Sequence, residues 1–429
     1  MEKKVVTENN IPIFYYENSA LHRFCLTLYV KAGILYEEPD EIGITHFWEH
    51  MIFRNINRVL GGEMKQKLDR MGAYFNGCTF KEFVEIKIIA AKEHFIECAE
   101  IISKVFEEID ISKKDFNTER RRIKSEIRED DEKKSIDYIA QKVVWNDTIL
   151  EKSIAGKKST LSDFTIEKVR EYAKKVLSSN NIFFYVTGAV TEDDIIHLSD
   201  MVGKYELVEG QPIRTNVAQI PRKFYKREGK VKIKKDDYCS IRYSFDFDSK
   251  ELPKAQIDLL YDILFDGECS KIHEELSEKT GYVYSYSSSL EQYNNIGNMY
   301  FSYEIDEKNL IKSVERVIKL LKSLKEDIGE ALNYVKPTYV DNGDMDLDEP
   351  EKLNWIMAYE GHILEQGYED IDARKKVFNE VTSDEIRYVA NKIFQSNNLV
   401  VTVKLPMVKV KVKDKRVKSK DIKKIIACL

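Results

Sequence analysis

The chain has 429 residues, of which 43% are hydrophobic and 33% charged, and a formal net charge of −6. This length exceeds one ordinary core and fits two domains of roughly 200 residues each. The small net charge argues against a nucleic-acid partner, and no run approaches the ~18 apolar residues of a membrane span. Met1 to Asn10 is polar and lacks an apolar h-region, so no secretory signal is expected. The six cysteines, Cys25, Cys78, Cys98, Cys239, Cys269 and Cys428, are scattered and form no C-x-x-C pair. They read as reduced thiols of a cytoplasmic protein, and a zinc site built from cysteines is not expected.

Ile42 to Phe53 has apolar residues at helical spacing and no proline, with Gly43 and Thr45 at a plausible helix start. His46 and His50, four apart, fall on one face of that helix, close enough to share a metal ion. Glu49 lies beside them, where a carboxylate could take a proton from an attacking water. A buried helix with two hydrogen-bonded histidines is the plainer alternative. A catalytic zinc site takes three protein ligands and leaves one position open, so a third ligand should lie downstream. Phe83 to Ala90 is a predicted strand, and Ala91 to Ile109 a predicted long helix. Ser112-Lys-Lys-Asp115 is a capping-box pattern opening a further helix. On it Glu119 and Glu126 are two turns apart and share a face, so one could bind the metal and the other orient a ligand.

The run from Thr165 to Val186 recurs 217 residues later, from Thr382 to Val403, with eight of 22 positions identical. Each copy reads as a threonine N-cap, an amphipathic helix, a Ser-Asn-Asn turn and a strand, Ile182 to Thr187 or Leu399 to Lys404. A period this long means two copies of one domain, not a solenoid. The expected organisation is an N-terminal domain (1–205), a linker (206–223) containing Gly210, Pro212 and Pro221, and a C-terminal domain (224–429). Each domain is α+β, helices packed on a sheet. The acidic run from Asp341 to Glu351 suits calcium poorly. The one register with Gly343 and Glu349 at the sixth and twelfth loop positions puts Val340 at the third, so a solvated loop is expected. The tail from Lys409 to Lys424 holds nine Lys or Arg against two Asp. Val408, Val410 and Val412 alternate there with lysines, as in a charge-protected edge strand. An acidic partner could dock on it.

Gly43-Ile-Thr-His-Phe-Trp-Glu-His-Met-Ile-Phe53 resembles the G-I-x-H-h-x-E-H-M-x-F core of the pitrilysin, insulinase and mitochondrial processing peptidase family, an inverted-zincin motif. Glu119 and Glu126 match the family's E-x6-E helix, with Glu126 76 positions after His50. Gly72-Ala-Tyr-Phe-Asn-Gly-Cys-Thr79 is similar to the family's substrate-binding strand. The resemblance spans almost the whole chain, duplication included. It implies two homologous domains, each a mostly antiparallel sheet packed with helices, forming half of a clamshell. It implies zinc held by His46, His50 and Glu126, and Glu49 as general base. Glu119 would orient a ligand, and Asn76, Gly77, Cys78 and Thr79 would bind substrate as an added β-strand.

Two departures qualify the expected activity. The family's L-R-E-x-x-G-h-h-Y element reads Leu276-Ser-Glu-Lys-Thr-Gly-Tyr-Val-Tyr284 here, keeping Tyr284 but placing Ser277 where an arginine is expected. A serine supplies no charged bidentate donor. The segment of the second copy aligned with the histidine motif, Asp258-Leu-Leu-Tyr-Asp262, contains no histidine. Full-length relatives build a four-domain clamp, and this chain holds two domains. A paralogous subunit bearing the Arg/Tyr pair would close the chamber and restore the arginine. The expectation is a zinc metalloendopeptidase subunit that cleaves short extended peptides, processing or removing leaders from ribosomally made precursors. A homodimeric general oligopeptidase is the alternative enzyme. A non-catalytic structural subunit is the alternative outside catalysis, and it predicts a decayed motif, whereas His46, Glu49, His50 and Glu126 are all present.

Overall fold

A computed structural model describes residues 1–129, 135–146, 148–208, 230–236, 239–293, 295–406 and 417–429. The expected linker lies outside these residues from position 209 onward, as do Val408, Val410 and Val412 of the basic tail. Ser419–Ile426 in that tail is a helix. No helix among the described residues is long and apolar enough to cross a membrane.

The chain divides into two compact units, neither continuous in sequence. Unit 1 comprises Met1–Asp130, Lys152–Asn216 and Gly343–Ile371, and unit 2 comprises Asp131–Glu151, Val217–Asn342 and Asp372–Leu429. Among the described residues unit 1 holds six strands: β1 (Lys3–Val6), β2 (Pro12–Glu17), β3 (Arg23–Val30), β4 (Tyr74–Thr79), β5 (Val84–Ala91) and β6 (Ile182–Gly188). Their spatial order is β1-β2-β6-β3-β5-β4, and only β2 and β6 run parallel. β6 and all but the first residue of β3 are buried, as in strands covered on both faces. β4, at the edge, alternates exposed and half-buried residues.

One face of this sheet packs the histidine-motif helix, Ile44–Val59, and helix Phe95–Ser103. Phe47, Trp48, Ile52, Phe95 and Ile102 join Leu26, Leu28, Ile86 and Phe184 in one core. Burying each large apolar side chain there stabilises the unit by ~1.5–3 kcal/mol. The opposite face is covered by helix Pro350–Trp355 and the π-helix Ile356–Ile363, both from late in the chain. Leu353, Ile356 and Met357 pack there on Tyr29, Phe83, Phe183 and Tyr185. Asn354 pins the cover: its amide donates to the carbonyls of Cys25 and Tyr185, and its oxygen accepts the Tyr29 hydroxyl at 3.0 Å.

Unit 2 holds β7 (Lys230–Asp236), β8 (Ser240–Phe247), β9 (Tyr286–Gln292), β10 (Gly297–Glu304) and β11 (Leu399–Pro406). Their order, β7-β11-β8-β10-β9, repeats β2-β6-β3-β5-β4 strand for strand, with the parallel pair in the same place. The Ser-Asn-Asn turns carry the repeat down to single bonds. Asn181 donates to the carbonyls of Val176 and Lys31, and Asn398 to those of Ile393 and Asp246. The threonines cap both repeated helices, Thr165 accepting from the Lys168 N–H and Thr382 from the Glu385 N–H. On β8, Ile241, Tyr243 and Phe245 enter the apolar core, while the alternate residues Ser240, Arg242, Ser244 and Asp246 are buried and polar. Helix Ile136–Val144, from the first half of the chain, packs on β8 and β11. Its Asp137 accepts from Arg242 at 2.6 Å, and the Arg242 guanidinium lies 3.5 Å from the centre of the Tyr300 ring.

Two local expectations are corrected. The long helix expected over 91–109 is an α-helix only from Phe95 to Ser103, followed by a 3-10 turn through Phe106. Asn55 ends it by donating to the carbonyls of Glu107 and Glu108 and accepting from the Asp110 N–H, three backbone groups that a continued helix would engage otherwise. The acidic run is not a solvated loop throughout. Gly343–Asp348 forms a 3-10 helix, and Asp346, 5% exposed, pairs with Lys352 at 2.6 Å.

Candidate metal centre

The histidine-motif helix starts where a distant carboxylate completes its first turn. Gly43 is the N-cap at φ 95°, and a Cβ there would meet the Gly156 Cα at 2.8 Å, so glycine is required twice over. The missing side-chain cap is supplied by Glu37, which accepts from the N–H groups of Gly43 at 2.8 Å and Thr45 at 2.9 Å. The Thr45 hydroxyl meets that of Tyr172 at 2.5 Å. The helix therefore enters the core with a fixed start, and His46 and His50 emerge on one face with ring centres 4.7 Å apart.

Helix Lys113–Glu129 faces it, opened by Ser112, whose Oγ accepts the Asp115 N–H at 3.0 Å. Glu126 on this helix lies between the histidines: its Oε1 is 3.5 Å from His46 Nε2 and its Oε2 is 3.6 Å from His50 Nε2. Ligand atoms of His46, His50 and Glu126 all lie within 4.8 Å of one another, and no other such cluster occurs among the described residues. A tetrahedral ion with bonds of about 2.0–2.1 Å holds its ligand atoms roughly 3.3 Å apart, so the set needs little closure to bind one. His46 Nε2 is buried without a hydrogen-bond partner, a cost that a bound ion would remove. Two imidazoles and one carboxylate suit zinc. Contact with His46, outweighing partial burial, holds the Glu126 carboxyl below its usual range.

Glu119 is placed differently. Its Oε2 accepts from His50 Nδ1 at 3.2 Å, on the far side of the ring from Glu126, and its Oε1 accepts from Arg54 Nε at 2.6 Å. Burial pushes this carboxyl up, but the His50 and Arg54 hydrogen bonds outweigh it and bring it down to about 2. Glu49 is 9% exposed, with Oε2 3.7 Å from His46 Nδ1. Thr79 of β4 donates to Glu49 Oε2 at 3.3 Å. Gly77 faces the same carboxylate, while Asn76 and Cys78 point outward along the exposed edge. Two residues of this centre, Glu37 and Arg54, escaped the sequence analysis. Arg54 carried a usable signal, since it continues the histidine face by one more turn.

Two family models match the chain: Insulinase (Peptidase family M16) over residues 14–158, and Peptidase M16 inactive domain over residues 163–332. The chain belongs to the M16 peptidase family. The first match spans His46, Glu49, His50 and Glu126. A Rickettsia felis protein named an uncharacterized zinc protease is 24% identical over 410 residues, 91% of this M16 chain and 94% of its own. The mitochondrial-processing peptidase subunit beta of Bos taurus is 22% identical over 208 residues, 48% of this chain and 41% of its own. The crystal structure of a protease from Helicobacter pylori matches with a TM-score of 0.82 at 16% identity, covering 95% of this chain and 99% of that one, which shows a shared fold.

In the M16 inactive-domain half, the helix equivalent to the histidine helix is Lys254–Phe265. Lys254 pairs with Asp258, and Tyr339 donates to Asp262 at 2.5 Å, so these positions form internal polar pairs. Ser277 lies in a π-helical turn, Glu274–Glu278, and Tyr284 beyond it is 98% exposed. The cations around that turn are engaged: Lys271 and Lys279 pair with Glu274, and Arg316 with Glu275 at 2.6 Å.

Proposed function

We propose that this M16 chain is a zinc metalloendopeptidase subunit that cleaves short extended peptides. Its role would be processing, or leader removal from ribosomally made precursors, in the cytoplasm and with a paralogous partner subunit. The convergence of His46 Nε2, His50 Nε2 and the Glu126 carboxylate beside Glu49 carries the reading. The name of the Rickettsia relative, a zinc protease, supports it. Zinc held by these three residues supplies a Lewis acid and lowers the pKa of water to about 7. Glu49 takes a proton from the attacking water and delivers it to the leaving nitrogen as the C–N bond breaks. Among the described residues β4 pairs on one side only, with β5, so its outer edge can accept an extended peptide as a further strand along Asn76, Gly77, Cys78 and Thr79.

The partner part of the reading rests on Ser277, which stands where the resemblance expects a charged donor, while the described cations around its turn, Lys271, Lys279 and Arg316, are paired with carboxylates. Elemental analysis tests the metal: the parent should carry about one zinc per chain, and the His46→Ala and His50→Ala proteins should lose it. Full retention in both defeats the assignment. Glu49→Gln should keep zinc and lose turnover by ~10²–10⁴-fold. Cleavage at the parental rate would remove Glu49 from the base role.

A further inference from the structure

Arg54 stands one turn beyond His50, so His46, His50 and Arg54 share a face of the histidine-motif helix. Its guanidinium reaches two carboxylates on successive turns of the facing helix: Nε donates to Glu119 Oε1 at 2.6 Å, and Nη1 to Asp115 Oδ1 at 3.2 Å. Asp115 is itself fixed, because the Ser112 hydroxyl donates to its Oδ2 at 2.6 Å and its own N–H donates back to Ser112 at 3.0 Å. Glu119, with a side chain 3% exposed, has its other oxygen on His50 Nδ1.

We propose that Arg54 is a positioning residue of the metal centre: it locks Glu119 onto His50 Nδ1 and fixes the helix register that brings Glu126 to both histidines. The proposal rests on the zinc reading above. A carboxylate held at one oxygen only can rotate away from its partner. Held at both, Glu119 presents a fixed acceptor to the ring, so Nδ1 carries the hydrogen and the Nε2 lone pair faces the site. A planar guanidinium can bond Asp115 and Glu119 together, whereas a lysine at 54 would keep the charge without the fork. Arg122 does not replace it, being 73% exposed and 3.9 Å from Glu119 Oε2.

The experiment measures zinc affinity of the full chain by competition with a chromophoric chelator, alongside apo-protein melting temperatures. The proteins are the parent, Arg54→Met, Arg54→Lys, Glu119→Gln and the Arg54→Met/Glu119→Gln double variant. Arg54→Met should bind zinc ~10–100-fold more weakly, the cost typical of losing a ligand's support. Arg54→Lys should recover part of the loss. In the Glu119→Gln background Arg54→Met should add much less than its single effect, because the two act through one network. Parental affinity in Arg54→Met, full additivity with Glu119→Gln, or an effect confined to apo stability overturns the proposal. Should Arg54→Met not fold, parental affinity in Arg54→Lys overturns it. A parent that binds no zinc removes the zinc reading itself, whereas a zinc-binding parent with indifferent Arg54 variants removes only the role of Arg54.

Discussion

Glu37 is 1% exposed, and its carboxylate accepts the two N–H groups that open the histidine-motif helix. Burial pushes this carboxyl up to about 7, outweighing the hydrogen bonds from Thr45 and Gly43. The folded state therefore holds the Glu37 proton more tightly than the unfolded chain does. Stability from this group is fully present below an unfolded value near ~4.5 and falls as pH rises to about 7. Unfolding in urea at pH 4.5 to 8 should show a steeper decline in the parent than in Glu37→Gln, the gap growing by up to about 3 kcal/mol across the window. Parallel pH profiles for the two proteins would contradict this account. Nothing in the sequence separates Glu37 from its neighbours Glu38 and Glu41, because only the fold of the preceding loop brings one of the three onto the helix start.

At the scale of elements, β4 meets the histidine-motif helix through a gap left by Gly77. A Cβ at position 77 would lie 2.6 Å from the Phe53 ring and 2.8 Å from Glu49 Oε1, so an alanine must displace one or both. Gly77→Ala should cost about 1–3 kcal/mol of stability through overpacking. It should lower kcat more than KM, with zinc content unchanged, because Glu49 moves while the histidines do not. Thermal melts, steady-state kinetics and elemental analysis of one preparation check all three, and unchanged kcat would show that Phe53 alone gives way. The strand was legible in the sequence. Its two-sidedness was not, since alternation assigns Gly77 and Thr79 to one face without saying that this face meets Glu49.

Across the whole molecule, each unit is completed by a segment from the other half of the chain. Residues 1–205 alone lack Gly343–Ile371, which leaves Tyr29, Phe83, Phe183 and Tyr185 without the cover of Leu353, Ile356 and Met357. Residues 224–429 alone lack helix Ile136–Val144, which leaves Arg242 without Asp137. Expressed separately, the halves should bind hydrophobic dyes and melt without cooperativity, and co-expression should restore a soluble complex. A sharp cooperative transition in either isolated half would defeat the prediction. The partner reading belongs to this scale too. The chain alone should hydrolyse peptides weakly, and a paralogue supplying an arginine donor should raise the rate by ~10²–10³-fold. Ser277→Arg should recover part of that gain. Full activity of the monomeric chain would end the case for a partner.

The sequence by itself determined the local and periodic features. These are the i, i+4 histidines, the E-x6-E pair, the threonine caps and the duplication. Each is set by helix or strand geometry over a few residues, or by direct similarity between the copies. Tertiary structure decided where each glutamate lies. Glu119 and Glu126 share a helix face, and only the packing of that helix against Ile44–Val59 sends one to Nδ1 of His50 and the other to the Nε2 atoms. It also decided the contacts of Glu37 and Arg54, and the exchange of segments between units. Those depend on contacts between residues far apart in the chain, which no local periodicity encodes.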